Sequence, residues 1–215
     1  PLSTYLGVVG MPGATAWTGL MEICQPQAGD TVVVSAASGA VGGVVGQLAK
    51  MQGCRAVGIA GGKAKCEYAV KELGYDACID YKAGRLYEEL KQACPGGIDC
   101  YFENVGGPTM DTVFRLLNPF SRVALCGLIS DYNLEDPYGV KMIRSILVNR
   151  VKMQGFIVND RMDIYQKAIR KMAGLVSSGQ LKYRESVAEG LQNAPTAFIG
   201  LLAGRNFGKQ LVKLV

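Results

Sequence analysis

The segment Ser35-Ala36-Ala37-Ser38-Gly39-Ala40-Val41-Gly42 concentrates small residues where backbone N–H groups could meet a phosphate. Set against the spacing G-x-G-x-x-G, Ala37 takes the first glycine's place, and Gly39 and Gly42 take the second and third. The three places serve a tight turn, a close backbone approach to a pyrophosphate, and close helix–strand packing. Gly43 and Gly46 extend the small-residue face. About twenty residues on, an NAD site carries a carboxylate for the ribose hydroxyls. Here that stretch reads Ala60-Gly61-Gly62-Lys63-Ala64-Lys65, with two ammonium groups and no acid. Charge therefore favours a 2′-phosphate, and NADP over NAD. The plainer alternative is that the two lysines coat a solvated helix start.

Other small-residue turns follow later apolar runs. Gly106-Gly107 comes after Phe102-Glu103-Asn104, and Cys126-Gly127 closes the next run. Ligands of open α/β sheets lie at such carboxyl ends. Asn104, Ser130 and Tyr132 are thus candidates to line a nicotinamide region, or else are turn and loop-capping residues. Tyr87-x-x-x-Lys91 has the spacing of the short-chain dehydrogenase pair, but it comes two strands too early, on an amphipathic stretch. Tyr87 is expected as a half-buried helix residue. There is no G-x-x-x-x-G-K-[ST], no G-x-S-x-G, and no convincing carboxylate pair. Histidine is absent, which excludes a His-based triad and any His-containing metal site in this chain.

The elements that must carry these residues alternate. Strands are expected at Thr31–Ser35, Arg55–Ala60, Ala77–Ile79, Ile98–Phe102, Arg122–Cys126 and Lys152–Val158. Helices are expected at Gly39–Lys50, Lys63–Leu73, Arg85–Cys94, Thr109–Leu117, Val140–Asn149 and Met162–Ser177. Strand–helix alternation of this kind implies an α/β fold, a Rossmann-type doubly wound parallel six-stranded sheet covered on both faces. Near Ser178-Gly179 the pattern changes. A polar extended piece (Lys182–Val187), a short helix (Pro195–Leu202) and a terminal strand (Lys209–Val215) follow. This tail is too short to stand alone and should pack on the sheet or on another module. The expected division is a cofactor domain over 1–180 and a returning segment over 181–215.

Composition narrows the function classes. The 215 residues are 49% hydrophobic and 19% charged, which excludes disordered and fibrous classes. The 28 glycines have no period, so collagen is excluded too. No apolar stretch is long enough for a membrane span, and no leader pattern opens the chain, which begins at Pro1 as a trimmed piece would. The net charge of +5 is scattered, so nucleic acid is not favoured. Seven cysteines without a C-x-x-C pair read as reduced thiols in a cytoplasm, mostly small buried hydrophobes.

At several of these places the sequence resembles a known family. The segments are Val9–Trp17 (VGMPGATAW), Ala36–Gly42 (AASGAVG), Ala60–Cys66 (AGGKAKC), Asp99–Gly107 (DCYFENVGG), Cys126–Asn133 (CGLISDYN), Met153–Val158 (MQGFIV) and Gly204–Lys209 (GRNFGK). They resemble the zinc-independent medium-chain dehydrogenase/reductases of the leukotriene B4 12-hydroxydehydrogenase, prostaglandin reductase and alkenal double-bond reductase type, bacterial curcumin-reductase-like members included. The resemblance runs through nearly the whole chain in order.

It implies NADPH-dependent reduction of the C=C bond of α,β-unsaturated ketones and aldehydes, with no metal. By resemblance, Gly39, Ala40, Val41 and Gly42 hold the pyrophosphate. Lys65 and Tyr81 contact the 2′-phosphate, and Asn206 lies on the same path. Asn104 sits beside the ribose and nicotinamide. Cys126, Gly127, Ile129, Ser130 and Tyr132, with Phe156, Ile157 and Val158, line the nicotinamide, and Met11 and Thr15 face that crevice. Tyr132 is the catalytic candidate, as a donor to the developing enolate. The family further implies a GroES-like domain before Pro1, completed by the tail, so that this piece alone is not expected to be active. It also implies a homodimer through the sheet edge. A quinone reductase of the same fold and a non-catalytic dinucleotide-binding module are the alternatives.

Overall fold

The computed structural model describes residues 1–214; Val215, the last residue of the expected terminal strand, lies outside the described residues. The chain opens with a 3₁₀ turn (Leu2–Leu6) and α1 (Met11–Trp17), which continues as a π-helical turn over Thr18–Cys24. There follow β1 (Thr31–Ser35), α2 (Gly42–Met51), β2 (Arg55–Ala60), α3 (Lys63–Lys71), β3 (Ala77–Asp80) and α4 (Leu86–Ala93). Next come β4 (Ile98–Glu103), α5 (Gly107–Phe114), β5 (Leu117–Leu125), α6 (Arg144–Val148), β6 (Lys152–Gly155) and α7 (Met162–Ser177). The tail supplies β7 (Glu185–Glu189), α8 (Ala194–Leu202) and β8 (Lys209–Lys213).

The first six strands form one six-stranded sheet in the order β3-β2-β1-β4-β5-β6, with every pairing parallel. The order reverses between β1 and β4, which opens a crevice at their carboxyl ends. TVVVS of β1 is buried at every position, as a strand covered on both faces must be. Val32 and Val34 pack with Val44, Val45 and Leu48 of α2 and with Met172 of α7. Val33 packs on the other face with Leu90 of α4 and Val113 and Phe114 of α5. Period-two alternation within one strand therefore joins two cores.

Several expected boundaries shift. The helix expected from Gly39 begins at Gly42, because Gly39 N–H closes a turn on Ala36 O at 2.9 Å and Gly39 bridges Gly208. The helix expected over 140–149 is only Arg144–Val148, because the Asp111 carboxylate takes the N–H groups of Lys141 and Met142. The strand expected to run to Val158 stops at Gly155, and Val158 turns into a small core with Ala14 and Ala168. The helix expected over 109–117 spans Gly107–Phe114, with Pro108 in its first turn, and β5 already starts at Leu117. The N-terminal helices stand outside the strand–helix alternation. They pack on the sheet through Gly19, where an added Cβ would come within 2.4 Å of the Phe102 ring.

The tail packs on the glycine turn. β7 and β8 pair in parallel, joined by α8. Gly208 N–H donates to Ser38 O at 2.9 Å. The buried Gln47 side chain both donates to Lys182 O and accepts from Lys182 N–H, each at 2.8 Å.

Candidate functional site

At the reversal point the ends of β1, β2 and β4 and the tail enclose a cavity of about 410 Å³. Ala36, the first residue past β1, has φ 52, a left-handed conformation that costs an alanine roughly 1 kcal/mol. The turn it makes brings Gly39 and Ala40 to the cavity wall. Gly42 packs beneath, where a Cβ would lie 2.4 Å from Ala36 O. Tyr75, fully buried, donates its hydroxyl to Gly42 O at 2.7 Å and so props the turn from behind. The N–H groups of Val41 and Gly42 have no acceptor among the described residues. Free amides at a helix start make this wall attractive to an anion.

One end of the cavity is cationic. Lys65, Tyr81 and Lys82 line it together with Ala60 and Gly61. The Lys65 ammonium donates to Gly204 O at 2.6 Å. Burial, and then the neighbouring Lys82 charge, hold it below the ordinary lysine range. Lys63, one of the two ammonium groups expected here, instead turns outward and lies 3.8 Å from Glu67. Its side chain, 90% exposed, is directed to solvent by the helix period, and Lys82 takes its place in the cavity. The nearest carboxylate, Asp80 at the end of β3, is already engaged by the N–H groups of Gly62 (2.8 Å) and Lys82 (3.0 Å).

The other end is built from the turns after β4 and β5. Val105, Thr109, Ile129 and Ser130 line it. Ser130 is fixed by its N–H and its hydroxyl, both donating to Val105 O at 2.9 and 2.6 Å. Asn104 donates its N–H to the Ser35 hydroxyl and its side-chain amide to Ser35 O, each at 2.8 Å, and so faces β1. Cys126 and Gly127 donate their N–H groups to Glu103 O at 2.9 and 3.1 Å. Burial pushes the Cys126 thiol up to about 12, so it stays protonated. The Tyr132 hydroxyl accepts from Leu128 N–H at 3.3 Å, and its ring is exposed.

The expected site residues thus fall into three sets. Gly39, Ala40, Lys65, Tyr81, Ile129, Ser130 and Asn206 meet around the cavity. Val41, Gly42, Asn104, Cys126, Gly127 and Tyr132 lie in the turns behind and beside it. Met11 and Thr15 of α1 lie on the helix that meets the 156–158 segment through Ala14 and Val158. In that segment Phe156 packs edge-on against Phe102, Val158 is buried, and Ile157 is exposed. This third set does not line the cavity. Lys82, Thr109 and Gln210 line it beyond the residues expected from sequence, and Gly204 and Lys209 bound the GRNFGK segment that carries the resemblance. The signal available for Lys82 is its place beside Tyr81 in the 3₁₀ turn Tyr81–Ala83 that follows the third strand.

All seven cysteines are free. Burial raises the Cys54 and Cys94 thiols to about 11. Tyr87 is half-buried under the Arg115 guanidinium at 3.9 Å, as expected of a structural helix residue.

Residues 40–174 match the family model of the zinc-binding dehydrogenases. The chain is 46% identical over 221 residues to the NADPH-dependent curcumin reductase of Escherichia coli, covering 99% of this chain and 63% of that protein. It is 47% identical over 213 residues to the 2-alkenal reductase (NADP(+)-dependent) of Nicotiana tabacum, covering 99% of this chain and 62% of that one. The crystal structure of CurA in complex with NADPH from Vibrio vulnificus superposes with a TM-score of 0.95 at 50% identity, over 99% of this chain and 65% of that one. The chain thus spans less than two thirds of the length of these relatives.

Proposed function

The chain belongs to the zinc-binding dehydrogenase family, and from that premise we propose that it is the NADPH-binding portion of an oxidoreductase that reduces the C=C bond of α,β-unsaturated ketones and aldehydes. The observation that carries this reading is the pairing of Lys65 and Lys82 at the β2–β3 end of the cavity, with no carboxylate among the described residues that line it. The unpaired amides of Val41 and Gly42, at the start of α2 beside the cavity, suit the pyrophosphate of NADPH. The NADPH-dependent relatives support the same cofactor. The family name carries zinc, yet among the described residues no group of three or more His, Cys, Asp or Glu side chains is placed to hold a metal ion. No step is assigned to one.

Gly39, Ala40, Val41 and Gly42 hold the pyrophosphate, and Lys65, Tyr81 and Lys82 hold the 2′-phosphate, with Asn206 beside them. Asn104 fixes the ribose next to the nicotinamide. The Cys126–Tyr132 turn and Phe156–Val158 line the ring, and Met11 and Thr15 bound the crevice on the substrate side. Bound there, NADPH supplies the hydride that reduces the β-carbon. Tyr132 hydrogen-bonds through its Oη–H to the carbonyl oxygen, whose negative charge grows as the β-carbon is reduced, and the proton that completes the α-carbon comes from water. Residues 181–215 serve as a returning segment that closes the cofactor cavity and meets the remainder of a full-length reductase.

Two further features belong to this reading. The unpaired edge of β6 (Lys152–Gly155), exposed along its length, pairs with its copy in a homodimer. Free thiols throughout, with no helix among the described residues long and apolar enough to cross a membrane, fit a cytoplasmic protein.

The test is titration of the chain with NADPH and with NADH, read by nicotinamide fluorescence. NADPH is expected to bind at least about tenfold more tightly, equivalent to roughly 1.4 kcal/mol. Equal affinities would sink the NADP assignment.

A further inference from the structure

The Lys65 ammonium has an unusual set of neighbours. It donates to Gly204 O at 2.6 Å and sits 5.7 Å from the centre of the Phe207 ring, and both groups belong to the tail. Among the described residues it forms no ion pair. Its nearest charged neighbour along the cavity wall is the cationic Lys82. One of its N–H groups is taken by the carbonyl, which leaves two for a ligand. A lysine stem is long and flexible, so a second contact that fixes its rotamer removes an entropy cost that binding would otherwise carry.

The tail contacts are themselves fixed. Gly204 follows α8 with φ 68, and Gly204 N–H and Arg205 N–H close the helix end on Leu201 O and Gly200 O at 2.9 and 2.8 Å. That closure sets the direction of the Gly204 carbonyl. Phe207 is held between the Arg184 guanidinium at 4.3 Å and the edge of Tyr68 at 5.8 Å. Tyr68 lies one helical turn beyond Lys65 on α3, so the same helix that carries the ammonium also grips the ring.

We propose that the tail turn Gly204–Phe207 is a specificity-determining element, which positions the Lys65 ammonium toward the 2′-phosphate of NADPH and so sets discrimination against NADH from outside the nucleotide-binding strands. This rests on the reading of Lys65 as a 2′-phosphate ligand. Gly204 and Phe207 act through Lys65 and are positioning residues. A tail that merely stabilised the fold would support both nucleotides equally, since they differ only in that phosphate.

The experiment measures dissociation constants of the full chain for NADPH and NADH by fluorescence, for the unchanged protein and three variants. Lys65→Ala is expected to lose about tenfold in NADPH affinity with NADH unchanged, as for loss of a charge-assisted contact. Phe207→Leu keeps apolar volume but removes the ring face. Gly204→Val disfavours the positive φ. Each is expected to weaken NADPH by about three- to tenfold and leave NADH alone. Equal losses for both nucleotides, or no loss in either tail variant while Lys65→Ala loses its preference, would overturn the tail's role and leave Lys65 standing. An unchanged NADPH/NADH ratio in Lys65→Ala would overturn the reading beneath it, and the proposal with it.

Discussion

The Ser35 hydroxyl donates to the Glu103 carboxylate at 2.7 Å, tying the carboxyl end of β1 to that of β4 across the point where the strand order reverses. Glu103 is fully buried. It also accepts from the Tyr101 hydroxyl and from Val105 N–H. These bonds favour the charged form, but burial is the larger influence and holds the carboxyl above its ordinary range. The folded protein therefore binds this proton more tightly than the unfolded chain. The stability so gained is complete below about pH 4.5 and is lost as pH rises through the raised folded value. Glu103→Gln removes the titration and keeps the shape. Its stability relative to the unchanged protein should improve as pH rises above about 4.5 in urea unfolding. A gap independent of pH would show that Glu103 titrates alike in both states.

Gly46 faces Tyr75 so closely that an added Cβ would lie 2.0 Å from the ring. The ring has no room to withdraw, being buried and bonded to Gly42 O at 2.7 Å. Gly46→Ala is therefore expected to destabilise by at least about 1–3 kcal/mol despite alanine's better helix propensity. NADPH affinity should fall with it, because Tyr75 supports the turn that carries Gly39 and Ala40. Pairing it with Tyr75→Leu should give less than the sum of the two single effects in thermal unfolding. Simple additivity would show that the helix relieves the clash by another route.

Lys63 and Lys82 make a direct comparison. Both are cationic and close in the fold, yet only Lys82 lines the cavity. Lys82→Ala is expected to weaken NADPH by about three- to tenfold, and Lys63→Ala by less than about twofold, with NADH unmoved in both. Isothermal titration of the two variants would decide it. Equal effects would mean that long-range charge, rather than contact, drives the preference.

The sheet was legible because its residues answer to short-range rules. TVVVS and, past the exposed Arg55, AVGIA are short runs buried at every position, and burial on both faces is the simplest arrangement that removes their surface from water. The glycine turn was legible through Gly39 and Gly42. The left-handed residue, however, is Ala36, for which alanine gives no signal. Lys63 and Lys65 are two apart on a helix and cannot share a face, so the second ammonium at the cavity is Lys82, from beyond β3. The tail's contacts could be read only through the resemblance, which puts Asn206 on the cofactor path. Gly208 meets Ser38 and Lys65 meets Gly204 across more than a hundred residues, and no periodicity reports such contacts.

Asp111 illustrates the same long reach and gives a further prediction. Its buried carboxylate accepts from the Tyr138 hydroxyl at 2.8 Å and from the N–H groups of Lys141 and Met142 at 3.1 and 2.9 Å. The bond holds the Tyr138 phenol above its ordinary range. Asp111 sits on α5, whose first turn carries Thr109 to the cavity, so one short helix anchors both the cavity wall and the far end of the 126–142 excursion. Asp111→Ala should cost about 1–2 kcal/mol, because the freed N–H groups lie near the surface and water can replace part of what is lost. Amide exchange over 138–142 should quicken while β1 and β4 keep their protection. Faster exchange in those strands as well would mean that Asp111 braces the α5–sheet packing itself, and that the loop follows the core.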